Sequence, residues 1–254
     1  MDLFLFTTDA SYAREAMAAG VDGLVVDWEH IGKEVRQSSA DTEINHDTPE
    51  DLIRLRSATD APILVRINAA GDWTAREVET AIDGGATEIL LPMVRRVADV
   101  ERVLEMVRGR CGAGILIETV DAVRLAPELC ALPLSRVYVG LNDLSIDRGA
   151  NNIFSALVDG TVEHVRSQCP RPFGFGGVTH PAAGSPIPAR LLISEMVRMR
   201  CDFTFMRRSF RRDALRRGVA DVVHAVRDSM RMPMAEKDLA ANRDALASLV
   251  EVRV

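Results

Sequence analysis

The sequence has no CxxC pair, and none of its four cysteines (Cys111, Cys130, Cys169 and Cys201) stands in a zinc-type spacing with histidine. This argues against a structural zinc site, and four reduced thiols in a cytoplasmic protein is the expected reading. No apolar run approaches the roughly 18 residues needed to cross a bilayer, so no membrane association is expected. The first residues, Met1-Asp2-Leu3-Phe4-Leu5-Phe6-Thr7-Thr8, lack a basic stretch and read as a strand rather than a signal peptide. There is no excess of positive charge. A formal net charge of −6 and a pI near 5.5 argue against nucleic-acid partners. No G-x-G-x-x-G follows the first strand, which weakens a dinucleotide-binding reading.

What is present is a regular alternation of strand and helix signals. Apolar β-runs are expected at Leu3–Thr8, Leu24–Asp27, Ile63–Ile67, Glu88–Leu91, Gly114–Glu118, Arg136–Val139, Phe173–Val178 and Phe203–Met206. Helices are expected at Ala10–Ala19, from Pro49 to about Ser57, and at Thr74–Asp83, Val97–Arg108, Val120–Leu129, Ile153–Ser167, Pro188–Met199 and Arg212–Met230. Thr48-Pro49-Glu50-Asp51 is a helix start, with Thr48 as N-cap and Pro49 in the first turn.

Eight β/α units in 254 residues, with apolar strands covered on both faces, predict an α/β fold of the (β/α)8 TIM-barrel type. The expected organisation is a barrel over residues 1–230 and a short helical tail over 231–254, a candidate oligomer arm. Residues 31–47 form a long polar connection after the second strand, either a lid over the mouth or a solvated loop.

In such a barrel, polar residues just past the strand ends are the functional candidates. Glu118 and Asp143 follow neighbouring strands, where roughly 4.8 Å separates one strand from the next. Each alone would serve as a helix cap, whereas the pair would hold a hard divalent cation such as Mg²⁺ or Mn²⁺. In Asp27-Trp28-Glu29-His30, Asp27 would orient His30 as a general base, or His30 is structural. Arg66, ending Ile63-Leu64-Val65-Arg66, is a clamp for a carboxylate or an oxyanion, or else an ion-pair partner of Asp27 or Glu29. In Arg207-Arg208-Ser209-Phe210-Arg211-Arg212, Arg207 or Arg208 would hold a phosphate or a second carboxylate, unless the run is a solvated helix start or a subunit contact.

Several segments together resemble the HpcH/HpaI aldolase and citrate lyase β-subunit family. They are Val26-Asp27-Trp28-Glu29-His30, Val65-Arg66-Ile67-Asn68, the run from Gly85 to Val94, Ile117-Glu118-Thr119, and Gly140-Leu141-Asn142-Asp143-Leu144-Ser145. The resemblance extends over about residues 3–210. It implies a lyase that makes or breaks a carbon–carbon bond of a small anionic 2-oxo acid through a pyruvate-like enolate bound to a divalent metal. By position, Glu118 and Asp143 would be the metal ligands and Arg66 would steady the enolate oxygen. His30 with Asp27, or a metal-bound water, would move the hydroxyl proton. Gly140, Asn142, Asp143, Arg207 and Arg208 are the further substrate-binding candidates. The family resemblance also implies a homo-oligomer. Two alternatives to a 4-hydroxy-2-oxo acid aldolase remain open: an acyl-CoA lyase of the citrate or malyl-CoA type, and a non-catalytic anion-binding barrel.

Overall fold

The fold, that of a computed structural model, is described for residues 1–33, 46–207 and 209–251. Strands β1 (Asp2–Phe6), β2 (Gly23–Asp27), β3 (Ile63–Arg66), β4 (Glu88–Leu91), β5 (Gly112–Ile117) and β6 (Val137–Val139) follow one another in the sheet, all parallel. β7 (Phe173–Phe175) pairs with β6, and β8 (Gly177–Val178) pairs with β9 (Phe203–Met206), which returns to β1. β7 and β8 are two halves of one barrel strand. The break is at Gly176, whose φ of 60° places it in the left-handed region. The nine segments thus make the eight strands of a (β/α)8 barrel, as expected.

Strand side chains alternate between two cores. Leu24, Val26, Ile63, Val65, Ile115 and Ile117 point outward to the helices. Val25, Leu64, Leu90, Leu116, Tyr138 and the phenylalanines 4, 203 and 205 fill the barrel interior. Two residues beyond Val25, Leu64 and Leu116 on the same inward face come Asp27, Arg66 and Glu118. Period-two geometry therefore carries the polar residues to the mouth as surely as it carries the apolar ones to the interior.

The helices are α1 (Ala10–Ala18), α2 (Pro49–Ala58), α3 (Thr74–Asp83), α4 (Val97–Val107), α5 (Val120–Arg124), α6 (Ala126–Ala131), α7 (Leu141–Asp147), α8 (Ser155–Val158), α9 (Thr161–Gln168), α10 (Ala189–Arg198), α11 (Ser209–Arg217), α12 (Val219–Arg231) and α13 (Glu236–Glu251). The capping box at Thr48 forms, with Asp51 as its second member. Three segments expected as single helices are divided, at Leu125, at Asp159-Gly160 and at Gly218. Helix α7 was not expected. It places Asp143 in a first helical turn rather than on the end of β6.

The tail helix α13 lies on its own barrel. Leu246 and Val250 are buried, Asn242 Nδ2 donates to Ser194 Oγ on α10 at 3.1 Å, and Arg243 grips Glu163 at 2.6 and 2.9 Å. Among the described residues no helix is long and apolar enough to cross a membrane.

Candidate active site

The strand register builds the first half of the site. Asp27 at the end of β2 stands opposite Arg66 at the end of β3. Arg66 Nε donates to Asp27 Oδ1 at 2.8 Å and Nη2 to Oδ2 at 2.7 Å, a two-pronged pair. Nη1 lies 3.4 Å from Glu29 Oε2. Burial works against the Arg66 charge, but Asp27 and Glu29 outweigh it and hold its pKa well above the usual value. Lys33, itself buried, adds its Nζ at 3.4 Å from Asp27 and 3.5 Å from Glu29. Asp27, Glu29, Arg66 and Lys33 thus form one buried network.

This arrangement corrects one expectation. Asp27 does not orient His30 among the described hydrogen bonds, because its carboxylate is engaged by Arg66 and Lys33. The His30 ring is exposed, with Nδ1 2.8 Å from the Trp28 carbonyl. Its backbone N–H, with that of Ile31, donates to the buried Asn68 Oδ1 at 2.9 and 2.8 Å. Asn68 donates in turn to Glu77 from Nδ2 at 2.6 Å and from its backbone at 3.0 Å. Asn68 is therefore a strut for the turn after β2. Thr179 and His180, also past a strand end, turn to Asp213 and to the Ala182 amide.

The second half of the site comes from β5 and α7. Glu118 and Asp143 are buried beneath a cavity of about 880 Å³ that opens at the C-terminal ends of the strands. Glu118 Oε2 accepts from the Met93 amide at 3.2 Å. Burial, then the charges of Asp143 and Glu29, push the Glu118 carboxyl up to about 8 against the pull of Arg66 and the Met93 amide. A Cβ at Gly140 would fall within 2.6 Å of Glu118 Cγ and closer still to its Oε1, so only glycine lets α7 start this close to Glu118.

Gly140, Asn142, Asp143, Arg66 and Arg207 all line the cavity, and so does Glu118. His30 is not part of its wall. Arg208 and residues 34–45 of the proposed lid lie outside the described residues.

Lys33 and Asp47, from the ends of the 31–47 connection, also line the cavity and were not singled out from the sequence. Asp47 Oδ2 accepts from the Asp27 amide at 2.8 Å, and burial raises the pKa of its carboxyl. The Glu29-to-Lys33 spacing, one helical turn, was the only available pointer to Lys33.

The donor set suits a hard divalent cation. Two carboxylates share one buried site where simultaneous ionisation is disfavoured unless a cation accompanies them. Among the described residues no group of three or more His, Cys, Asp or Glu side chains could hold a metal. A cation here would keep positions for water and substrate, as Mg²⁺ and Mn²⁺ do.

The model of the HpcH/HpaI aldolase/citrate lyase family matches residues 1–155, more than half of the chain. The chain belongs to this family. Its fold is shared with solved structures at low identity. Citrate synthase SbnG aligns with TM-score 0.62 and 19% identity, over 87% of this chain and 92% of that one. An HpcH/HpaI aldolase/citrate lyase family protein from Burkholderia cenocepacia J2315 aligns with TM-score 0.62 and 15% identity, over 86% and 93%. RipC from Yersinia pestis aligns with TM-score 0.56 and 14% identity, over 93% and 97%. No curated protein sequence matches the chain. Membership places the protein in a lyase-type enzyme family.

Proposed function

We propose that the protein is a divalent-metal-dependent carbon–carbon lyase, an aldolase that cleaves or forms a 4-hydroxy-2-oxo acid. The observation that carries this reading is the buried Glu118–Asp143 pair facing Arg66 across one cavity. Bound there, Mg²⁺ or Mn²⁺ would supply Lewis-acid polarisation of the substrate's keto oxygen.

The chain's own residues supply the rest. Asp27 and Glu29 hold the Arg66 guanidinium in place, charged and pointed at the cavity. It is a preorganised donor for the negative charge that develops on the oxo-acid oxygen as the C3–C4 bond breaks. The Gly140–Asn142 turn gives the substrate close access to backbone beside Glu118.

The described group best placed to move the proton of the C4 hydroxyl is Asp47. Its carboxyl lines the cavity, and burial raises its pKa above the ordinary carboxyl value. Asp47 thus takes the duty expected of His30, which sits outside the wall. Asn68 braces the turn after β2, which gives the Arg66-x-Asn68 pattern a structural duty.

The test is condensation of pyruvate with short aldehydes in the presence of Mn²⁺, run beside cleavage of a malyl-type thioester. The proposal expects condensation that is abolished by a chelator. Thioester cleavage without any condensation would overturn it. The same reading expects a small 2-oxo acid as the partner, a homo-oligomer as the assembly and the cytoplasm as the location.

A further inference from the structure

The wall of the cavity farthest round the barrel from Glu118 has a different chemistry. It is built by the end of β1 with the start of α1, four strands from β5, and by the start of α11 after β9, three strands from it by the shorter way. Thr7, Thr8 and Tyr12 come from the first, and Ser209, Arg211 and Arg212 from the second. Arg211 and Arg212 form no salt bridge with any described residue. Arg211 only lies over the Tyr12 ring, 5.5 Å from its centre.

The neighbouring acids are engaged elsewhere. Asp9, whose carboxylate feels the Arg211 charge, caps α1 through the Ser11 and Tyr12 amides. Asp213 accepts from Thr179 Oγ1 at 2.6 Å. Two hydroxyls on the same wall, Ser209 Oγ and Tyr12 Oη, are buried without a hydrogen-bond partner. Helix α11 adds its positive end. Arg211 and Arg212 sit in a first turn with no acidic residue, where cations are electrostatically disfavoured. Among the described residues this stretch of the cavity lining is made of hydroxyls and guanidinium groups.

We infer that this wall is a phosphate subsite, and that the compound joined to or released from the oxo acid carries a phosphate monoester. A phosphate dianion, with three acceptor oxygens, matches two unpaired guanidinium groups, two free hydroxyls and a helix N-terminus. A carboxylate, with two acceptor oxygens instead of three, would meet fewer of these donors. The inference rests on the aldolase reading for its place in catalysis, but the subsite itself can be tested without turnover.

Two measurements on the full chain with Mn²⁺ separate these parts. In the first, inorganic phosphate is titrated calorimetrically into wild type and into R211M/R212M. The expected result is binding that weakens by at least about tenfold in the variant, the scale of losing charge-assisted hydrogen bonds. R211K/R212K should retain part of it. Because both arginines are exposed, an unchanged melting temperature should accompany the loss. Absence of phosphate binding in wild type, or equal binding in the variant, overturns the subsite.

In the second, kcat/KM for condensation with pyruvate is compared for glycolaldehyde, its phosphate ester and a carboxylate-bearing aldehyde. The phosphate ester should lead by about tenfold or more, and R211M/R212M should erase that lead. A lead for the carboxylate, or equal losses on all three, overturns the phosphate assignment. Phosphate binding lost in R211M/R212M, with no condensation of any aldehyde, would leave the subsite standing and remove the aldolase reading instead.

Discussion

The barrel holds buried charge at both ends, and the two ends are built differently. At the floor, Arg136 Nε donates to both oxygens of Glu88 at 2.7 and 2.8 Å, and Ser135 Oγ adds a third bond at 2.7 Å. The guanidinium packs against Phe4 and Phe203, 4.5 and 4.7 Å from their ring centres. One acid meets one base, and the bottom of the barrel is closed. At the mouth, four buried carboxylates (Asp27, Glu29, Glu118 and Asp143) gather, with Lys33 and Arg66 set against Asp27 and Glu29. The floor is one compact ion pair, whereas the mouth crowds several carboxylates under an open cavity. Conserving a fold needs only the first arrangement. The second costs stability and accords with the proposed cation site.

Removing one guanidinium from each end gives the largest expected effects and the sharpest contrast. R136M removes the cation held by Glu88 in the floor, and R66M removes the two-pronged partner of Asp27 at the mouth, leaving Lys33 beside Asp27 and Glu29. Each should lower unfolding stability by about 3–5 kcal/mol in chemical denaturation. R136M should leave kcat of the folded fraction unchanged, while R66M should lower it by roughly 10²-fold or more. Equal effects on kcat would erase the distinction between the two ends.

Glu118 gives the next effect, and its sign is opposite to that of an ordinary salt-bridge deletion. Its folded pKa of about 8 lies above the ordinary carboxyl value of 4.5. Below that ordinary value both folded and unfolded chains hold the proton, and no stability is lost. As pH rises toward 8 the unfolded chain releases its proton while the native site retains it, so stability falls through this window. Without metal, wild type should therefore lose stability between about pH 4.5 and 8, and E118Q should lose less and exceed wild type at pH 8. Thermal melts at a series of pH values with a chelator present check this. A steeper loss in E118Q would contradict it.

Proton transfer supplies a smaller comparison, between the inner and outer sides of the mouth. D47N should lower kcat by roughly 10²-fold, within the range for a lost general base, whereas H30A should change it less than threefold or so. Steady-state kinetics of the two variants would decide. A larger loss in H30A would return the role to the exposed histidine.

These comparisons also show what was legible in the sequence. Thr74–Asp83, Glu88–Leu91 and Phe203–Met206 form with the bounds their patterns predict, because apolar period and capping are local properties. Glu118 and Arg66 drew notice for a related reason: they stand at strand ends, where barrel geometry gives polar residues an address, and Asp143 comes a short turn after β6. The breaks at Gly160, Gly176 and Gly218 escaped, since a positive-φ glycine interrupts an element without disturbing its apolar pattern. Helix α7 escaped because Gly140-Leu141-Asn142 continues the apolar run of β6. The pairing of Arg66 with Asp27 was legible only as one of two readings of that arginine. It depends on the register between β2 and β3, which sets Arg66 beside Asp27 from 39 residues away. Asp47 lies in a long polar connection where no periodicity assigns a direction.

The most direct test of the proposed metal centre is calorimetric titration of Mn²⁺ into the protein at pH 6 and pH 8. A cation must displace the proton from Glu118, so affinity should rise between these values and level off near pH 8, with one site per chain that is lost in E118Q. Binding that is independent of pH and unchanged in E118Q would contradict the assignment of the mouth as a metal centre.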